Sequence, residues 1–572
     1  MSREIVHPGP IDDSLLRLQP FHISEHIWNG AKNRVVKVRR ATQSELREVE
    51  IPDAIRDLLE RAGFMGVAQI SYFPVDNHLI SALVERWRPE THTFHMPFGE
   101  CTITLEDVAM LLGLKISGAP ITGYATMDWA ALVQRLLGMT PPESVLVGGR
   151  LRMSWIDRHF SDVSEHVHSQ EQLERYTRAF ILRMIGGYLL TDHSSSFVSL
   201  RYLALLEDLD ACGHMSWGSC VLANMYRELC VCTNYDHKEI GGSAILVQLW
   251  AWYRLPVLAP PHPPLSTFHV PLGARWNRAL HKPKEEKKDK IVKYRKYFDR
   301  LKRGDFVWQP YLELLPTLPP YCFEDSQVWR STVPLINFHI VEYHYADRVM
   351  RQFGMVQHIP APPIHSEKLH DLSLRGKDNM DWSRMHVQFV QEWQSRFHRV
   401  WTQAACDTPH LSNNSEYMVW YRKHTKRWIS PSSAKKGYVT DVLEHMYHGT
   451  SEKHRHSFDF TAMHESIGHC LQLQDEVSRV SFPSTPAPPA TLVKADPVEV
   501  EYIGAGRREG RGLSRRRRRV EHQDLQMPVP PTEPPAGTYY LTTLTPYGDI
   551  TQYVYGSAQD ISACETSGSK SA

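Results

Sequence analysis

TFHMPFGECTITLEDVAMLLGL, residues 93–114, carries the local signals that decide how this part of the chain folds. Apolar residues alternate in TFHMPF, which predicts a short strand, and Gly99 predicts a bend after it. Thr104 stands where a helix N-cap belongs, with the acidic Asp107 three residues later in the first turn. The apolar residues that follow at helical spacing are Leu105, Val108, Leu111 and Leu112. Gly113 predicts the helix end, so the stretch predicts a strand–turn–helix unit.

The same stretch contains side chains that enzymes use, namely His95, Glu100, Cys101, Glu106 and Asp107. Asp107 is explained by helix capping. The other four have no neighbour in the stretch that would make them nucleophiles or general acids. We therefore predict that the stretch builds the fold and contains no catalytic residue.

The composition predicts a large folded core, and its balanced charge indicates no particular class of binding partner. The chain has 572 residues with 42% hydrophobic residues, and its 65 Lys and Arg balance 64 Asp and Glu to a net charge of +1. The most apolar run, residues 243–258, is interrupted by Gln248 and Arg254 and is shorter than the roughly 20 residues of a membrane helix. Nine scattered cysteines and no secretory signal predict a reduced intracellular protein.

Changes in composition divide the chain into four parts. Residues 1–50 predict an amphipathic and basic segment that packs on the domain, and residues 51–430 predict the main domain. Residues 431–480 predict a helical extension. Residues 481–572 are rich in Pro and Arg and cannot bury enough apolar surface to offset their ordering entropy, so they predict a disordered tail.

The main domain is predicted to be mainly α-helical, with a few short β-strands. Apolar residues recur at three- and four-residue spacing in 171–190, 199–210, 217–230 and 241–255. Short connections between these segments favour a multi-helix globular domain. No repeat of fixed period indicates a solenoid.

Two stretches resemble enzyme motifs, but the spacing of their residues does not match. HESIGH, residues 464–469, resembles the zinc-protease motif HExxH, but its histidines are one position too far apart and point about 140° from each other around a helix. GHMSWGSC, residues 213–220, resembles the hydrolase G-x-S-x-G turn, but its first glycine is misplaced. Ser216 is better explained as the N-cap of the next helix.

The cysteines around residue 220 also lack a metal-binding pattern. Cys212, Cys220, Cys230 and Cys232 contain no C-x2-C pair, although His214 and His237 lie nearby. Cysteines within a helical apolar pattern usually act as small hydrophobic residues. The sequence therefore predicts no metal site and no cofactor.

A basic segment spans residues 275–303, which contain 13 Lys and Arg but 4 Asp and Glu. Lys293, Arg295, Lys296, Arg300 and Lys302 are expected to be exposed. The candidate residues for a nucleic-acid or partner surface are Lys287, Lys288, Lys293, Arg295, Lys296, Arg300, Lys302 and Arg303. One interpretation is a solvated helix preceded by a charged loop. The other is a surface for nucleic-acid phosphates or for a protein partner.

A second basic cluster lies in the tail, at Arg515, Arg516, Arg517, Arg518 and Arg519. Five consecutive arginines in an accessible segment favour recognition by a nuclear-import receptor. The alternative is a charge run that only keeps the tail solvated. We predict nuclear import.

Several stretches, taken in order, resemble one family. They include GPIDDSLLRLQPFHISEHIWNG, LVERWRPETHTFHMPFGECTITLEDVAMLLGLKISGAPITG, IGGYLLTDHSSSFVSLRYLALLEDLD and GGSAILVQLWAWYRLP. Over about residues 8–400 the chain resembles the plant mobile domain of the MAIN-like (maintenance of meristems) proteins. Names in this family also include "aminotransferase-like" and "serine/threonine phosphatase long form".

The resemblance implies a largely helical domain that occurs in plant transposable elements and in host genes derived from them. It implies a non-enzymatic nuclear factor that supports meristem development, gene expression and transposon silencing through protein partners, including phosphatase-like ones. The alternative is a transposon-encoded accessory protein that binds nucleic acid. Neither enzyme name transfers, because the metallophosphatase blocks GD-x-HG, GD-x-x-DRG and GNHE are absent and no segment argues for a lysine Schiff base.

Overall fold

Helices make up most of the regular structure in the part of the chain that the computed structural model describes. The described residues are 8–38, 51–70, 74–124, 127–194, 196–261, 270–277, 289–364, 367–370, 372–374, 380–434, 539–544 and 550–555. The chain divides after Thr485 into two units. Each unit is described by itself below.

The α-helices are short, and the predicted mainly helical fold with few short strands is confirmed. The first nine are α1 Ile23–Trp28, α2 Arg56–Arg61, α3 Met65–Ala68, α4 Asn77–Val84, α5 Leu105–Leu112, α6 Trp129–Leu137, α7 Met153–His159, α8 Gln170–Met184 and α9 Arg201–Leu205. The others are α10 Leu209–Gly213, α11 Trp217–Cys232, α12 Ala244–Arg254, α13 Lys290–Asp299, α14 Glu367–His370, α15 Trp382–Met385, α16 Val387–Gln394 and α17 Glu416–His424. Many connections between them are single 3-10 turns.

The strands form small separate sheets. They are β1 Lys37–Val38, β2 Trp87–Arg88, β3 Thr93–Met96, β4 Gly99–Cys101, β5 Leu146–Val147, β6 Arg150–Arg152, β7 Phe197–Ser199, β8 Glu239–Ile240, β9 Val333–Asn337, β10 Ile340–His344, β11 Tyr539–Leu544 and β12 Ile550–Tyr555. In the first unit, β2–β3–β4 and β5–β6–β7 are antiparallel sheets, β9 and β10 form a hairpin, and β1 pairs with β8 in parallel.

The stretch 93–114 folds largely as its sequence predicts. Thr104 caps α5 and forms a capping box with Asp107, and the helix ends at Gly113 with φ 64°. The unpredicted element is β4, which pairs with β3 across the bend at Gly99. Gly99 has φ 125°, a conformation that favours glycine because it has no Cβ.

The predicted helical segments are present with two differences. Residues 171–190 form α8, which continues as a π-helix over Ile185–Leu189. Residues 199–210 are interrupted, because α9 ends before Asp208 caps the separate helix α10. Ser216 occupies the N-cap position of α11 as predicted, but its side chain makes no capping hydrogen bond.

One continuous hydrophobic cluster, with members from Val36 to Trp393, forms the core of the first unit. The described part of the N-terminal segment packs onto it through polar anchors. The His22 imidazole lies 2.8 Å from the carbonyl oxygen of Trp87. Arg34 donates to the carbonyl oxygen of Cys232 at 2.7 Å.

The residues that follow α17 pack against the folded part of the first unit. Thr425 Oγ1 lies 2.9 Å from His95 Nδ1, and Arg86 donates to the carbonyl oxygen of Arg427 at 2.9 Å. The amide of Ile429 donates to the Asp299 carboxylate at 2.9 Å. These contacts join the end of the first unit's described residues to β2, β3 and α13.

In the second unit, β11 and β12 form an antiparallel hairpin with Tyr539 opposite Tyr555. The composition of residues 481–572 did not predict these strands. The remainder of that segment lies outside the described residues.

We expect the Thr104 hydroxyl, more than its methyl group, to stabilise the start of α5. Thr104→Val keeps the shape but leaves the Asp107 amide without its side-chain acceptor, so it should lower the free energy of unfolding by about 1–2 kcal/mol. Thr104→Ser keeps the acceptor and loses one buried methyl, which costs about 0.8 kcal/mol in transfer free energy. Urea unfolding of both variants measures the difference. If Thr104→Ser loses more unfolding free energy than Thr104→Val, the hydroxyl does not cap α5.

Candidate functional site

Buried carboxylate–guanidinium pairs connect distant parts of the first unit. Among the described residues, the pairs with both side chains less than a tenth exposed are Asp107–Arg254, Glu100–Arg348, Glu342–Arg227, Glu85–Arg295 and Asp299–Arg86. A buried charge without a partner is strongly destabilising, so each carboxylate depends on its arginine. Two of the carboxylates that made residues 93–114 resemble an active site, Glu100 and Asp107, belong to these pairs.

His95 and Glu100 face each other on β3 and β4 and illustrate this role. Their side chains lie 3.4 Å apart, and Arg348 donates to the Glu100 carboxylate at 2.8 Å. Burial alone would raise the pKa of Glu100, but the Arg348 guanidinium and His95 hold it at about 2. Burial lowers the pKa of His95 to about 4. At neutral pH this is a buried neutral imidazole beside a compensated carboxylate.

The other two reactive side chains of the stretch, Cys101 and Glu106, are both protonated at neutral pH. Burial raises the pKa of the Cys101 thiol far above its usual range, so it does not form a nucleophilic thiolate. Burial also raises the pKa of Glu106 to about 8. Glu106 lies at the start of α5, where the charges of Arg254 and Arg330 oppose the effect of burial on its pKa. The contacts of Thr104, Asp107 and Gly113 make the stretch a folding element, and the absence of a catalytic residue from it stays a prediction.

The most chemically varied group in the described residues surrounds Glu342 on β10. His92, Cys230, Glu342 and His370 each offer one metal-ligating atom, and these atoms all lie within 4.8 Å of one another. One Glu342 oxygen, Oε2, is 2.9 Å from His92 Nε2 and 2.8 Å from His370 Nε2. The other oxygen, Oε1, accepts from Arg227 Nε. No other group of this kind is found among the described residues.

The electrostatics of this cluster are set by burial and by Arg227. Burial alone would raise the pKa of Glu342, but the Arg227 guanidinium and the two histidines hold it well below its usual range. Burial raises the pKa of the Cys230 thiol well above its usual range. Trp87 Nε1 donates to Cys230 Sγ at 3.2 Å, so the sulfur already has a polar partner.

Sequence reasoning missed three of these four residues. Cys230 was considered with Cys212, Cys220 and Cys232, and among the described residues that quartet forms no ligand cluster. His92, Glu342 and His370 come from a turn, a strand and a short helix far apart in the chain. No spacing motif marks them, since only the tertiary fold places them beside Cys230.

The basic segment is described from residue 289 onward, and one expectation about it is wrong. Arg295 is buried, because its guanidinium makes two hydrogen bonds to the Glu85 carboxylate at 2.6 and 2.7 Å. Lys293 and Lys302 are exposed, whereas Lys296, Arg300 and Arg303 are half-buried. The exposed basic surface on and after α13 is therefore smaller than the sequence suggests.

Other predicted features lie outside the described residues. These are Lys287 and Lys288 of the basic segment, the arginines at 515–519, the HESIGH motif and all but the first four residues of the extension at 431–480. Their proposed roles remain predictions.

Similarity to known proteins assigns residues 63–422 to a family. The family model described as "Plant mobile domain" matches residues 63–422, which include β2–β4, α5, α11, α12 and the Glu342 cluster. The chain belongs to the plant mobile domain family. The resemblance seen in the sequence is thereby confirmed.

Curated relatives from Arabidopsis thaliana match about three quarters of the chain. The chain is 38% identical over 443 residues to "Serine/threonine-protein phosphatase 7 long form homolog", covering 75% of this chain and 33% of that protein. It is 33% identical to "Protein MAIN-LIKE 2" over 77% of this chain and 65% of that protein. It is 32% identical to "Protein MAINTENANCE OF MERISTEMS" over 71% of this chain and 82% of that protein.

The coverage differs between these relatives. The chain spans about a third of the phosphatase-named relative and just under two thirds of MAIN-LIKE 2. No solved structure matches the chain. Among the described residues, no helix of this plant mobile domain protein is long and apolar enough to cross a membrane.

We expect His95 to make the stability of the domain depend on pH. Its pKa of about 4 in the folded state lies below the usual 6.5, so the unfolded state binds more protons as the pH falls below 6.5. Stability should fall between pH 6.5 and 4, by about 2 kcal/mol at pH 5 from this residue. Urea unfolding at pH 7 and pH 5 measures the effect.

His95→Gln provides the test, because glutamine does not titrate. It should reduce the difference in unfolding free energy between pH 7 and pH 5 by about 2 kcal/mol. His193→Gln is the matched control, since the His193 side chain is 50% exposed. Equal pH dependence in His95→Gln and the unmodified protein would show that His95 titrates normally in the folded state.

Proposed function

We propose that the protein is a non-enzymatic nuclear factor that acts through protein partners to support meristem development, gene expression and transposon silencing. The observation that carries this proposal is its similarity to MAIN-named proteins along most of their length. The match covers 79% of "Protein MAIN-LIKE 1" and 82% of "Protein MAINTENANCE OF MERISTEMS". The name of the latter states a role in meristems.

The buried charge pairs support the non-enzymatic part of the proposal. The side chains of His95, Glu100, Cys101 and Asp107 are buried, and the two carboxylates are compensated by arginines. The phosphatase-named relative extends far beyond the match, so its name does not describe the shared region by itself. The nearest text to a metallophosphatase block in this chain is GDIT at 548–551.

That same relative supports the choice of partner. A region similar to this chain belongs to a protein whose name denotes a phosphatase and whose remaining two thirds lie outside the match. Regions joined in one polypeptide in one protein can act as separate partners elsewhere. We therefore include phosphatase-like proteins among the proposed nuclear partners.

Nucleic-acid binding by a transposon-encoded accessory protein is the second candidate. It is favoured by Lys293 and Lys302, which are exposed in the described part of the basic segment. The pairing of Arg295 with Glu85 weakens this candidate, because that charge is not available to phosphates.

We expect the arginines at 515–519 to direct the protein to the nucleus. Replacement of all five by alanine should shift a fluorescent fusion of the full chain from the nucleus to the cytoplasm of plant cells. Replacement by lysine is the matched control and should leave the distribution unchanged, because it keeps the charge. Nuclear entry of the alanine variant equal to that of the unmodified fusion would refute the import role.

Affinity purification of the full chain from plant nuclei distinguishes the two candidate functions. We expect phosphatase-like proteins among those recovered, and we expect their recovery to survive nuclease treatment because the contact is between proteins. In the alternative, recovery is lost after nuclease treatment and also in a Lys293→Glu, Lys302→Glu variant. Lys238→Glu, at another exposed lysine, is the control for the charge change. If the partner proteins are no longer recovered after nuclease treatment or from the Lys293→Glu, Lys302→Glu variant, the protein-partner proposal is overturned.

A further inference from the structure

We propose that His92, Cys230, Glu342 and His370 bind one structural zinc ion. The four residues come from the β2–β3 turn, α11, β10 and α14, and their ligand atoms lie within 4.8 Å of one another. Three of the four side chains are buried, and His370 is 19% exposed. Such a set of one thiol, two imidazoles and one carboxylate is a zinc-type ligand set. The inference is independent of the proposed nuclear function.

The contacts of His92 give the strongest geometric support for a bound cation. Its Nδ1 lies 2.7 Å from the carbonyl oxygen of Tyr343, which can only accept, so Nδ1 carries the proton. The opposite nitrogen, Nε2, is buried and makes no hydrogen bond of good geometry, although Glu342 Oε2 lies 2.9 Å away. A buried imidazole nitrogen that lies 2.9 Å from a carboxylate oxygen is suited to sharing a cation with that carboxylate.

The backbone at His92 supports the same conclusion. His92 has φ 50°, in the left-handed region that side-chain-bearing residues rarely adopt. Strained conformations of this kind persist where the surrounding structure requires a particular side-chain position. Here the strain coincides with the residue whose ring is anchored by Tyr343 and directed at Glu342 and Cys230.

The groups around the four ligands match the outer contacts of a metal site. Metal-binding histidines usually donate their second ring N–H to a carbonyl or carboxylate, as His92 does to Tyr343. A ligating carboxylate is usually held by a further hydrogen bond, which Arg227 supplies to Glu342. Trp87 donates to the Cys230 sulfur at 3.2 Å and would stabilise a thiolate there.

The distances suit zinc after small side-chain adjustments. Tetrahedral zinc with Zn–N of about 2.0 Å and Zn–S of about 2.3 Å separates its ligand atoms by roughly 3.3–3.6 Å. The present separations, from 2.8 Å between Glu342 Oε2 and His370 Nε2 up to 4.8 Å, bracket that value. Magnesium and calcium prefer oxygen ligands, so the sulfur and nitrogen atoms argue against them.

Four protein ligands would close the coordination sphere, which is the pattern of a structural site rather than a catalytic one. The ion would tie α14, a helix of one turn, to β10 and α11. Arg227 already contacts the same helix, because it donates to the carbonyl oxygen of Leu369 at 3.0 Å. The zinc ion would therefore fix a peripheral segment onto the core of the domain.

The test is the metal content of the purified full-length protein. The protein is expressed with added zinc and then dialysed. Elemental mass spectrometry should find about one zinc ion per folded chain. Cys230→Ser and His370→Gln should each reduce this content at least about tenfold. His370→Gln is the safer variant for folding, because it removes a partly exposed ligand while keeping the chain's core intact. Cobalt substitution should give a thiolate-to-cobalt absorption band that is absent in Cys230→Ser.

Cys232→Ser is the matched control. Its sulfur lies 3.1 Å from the carbonyl oxygen of Glu239, a contact that a serine hydroxyl can replace, and it should retain its zinc. Chelation should lower the melting temperature of the unmodified protein and of Cys232→Ser, and added zinc should restore it. Folded unmodified protein without zinc, or equal zinc in His370→Gln and the unmodified protein, would overturn the proposal. The cluster would then be a metal-free group of side chains around Glu342, held by Arg227.

Discussion

The charge of Asp107 must be compensated inside the protein, and much of the first unit is arranged around that requirement. Asp107 is fully buried at the start of α5. Arg254, at the end of α12, donates to its carboxylate at 2.8 Å, and the Tyr311 hydroxyl donates at 2.7 Å. The same carboxylate accepts from the Thr104 amide at 2.7 Å. One side chain thus sets where a helix begins and how two later segments approach it.

The other buried pairs extend this arrangement across the domain. Glu100 connects β4 to Arg348, and Asp299 connects α13 to Arg86, the residue before β2. Replacing such a pair with apolar residues often leaves stability unchanged, whereas removing one partner is costly. The pairs therefore specify which segments meet more than they add to total stability. The Glu342 cluster differs, since its carboxylate meets two histidines and a thiol as well as an arginine.

Local features of the fold could be predicted from the sequence, and long-range ones could not. Thr104, Asp107 and Gly113 act within one helix, so their spacing was sufficient to predict its start and its end. Arg295 was misplaced because a basic residue beside Lys293 and Lys296 looks solvent-exposed until Glu85 of α4 is brought against it. The Glu342 cluster was missed for the same reason, since its members lie more than a hundred residues apart except for Glu342 and His370. A single sequence contains no signal for such contacts.

The chain segment that returns after α17 also affects how the domain can be isolated. Similarity delimits the family at residues 63–422, which ends two residues before α17 does. A fragment cut at those boundaries would lack the Thr425 hydroxyl beside His95 and the Ile429 amide that donates to Asp299. It would also lack the His22 and Arg34 anchors of the N-terminal segment. The inherited module recognised by similarity is thus shorter than the physical folding unit, and its edges are completed by sequence on both sides.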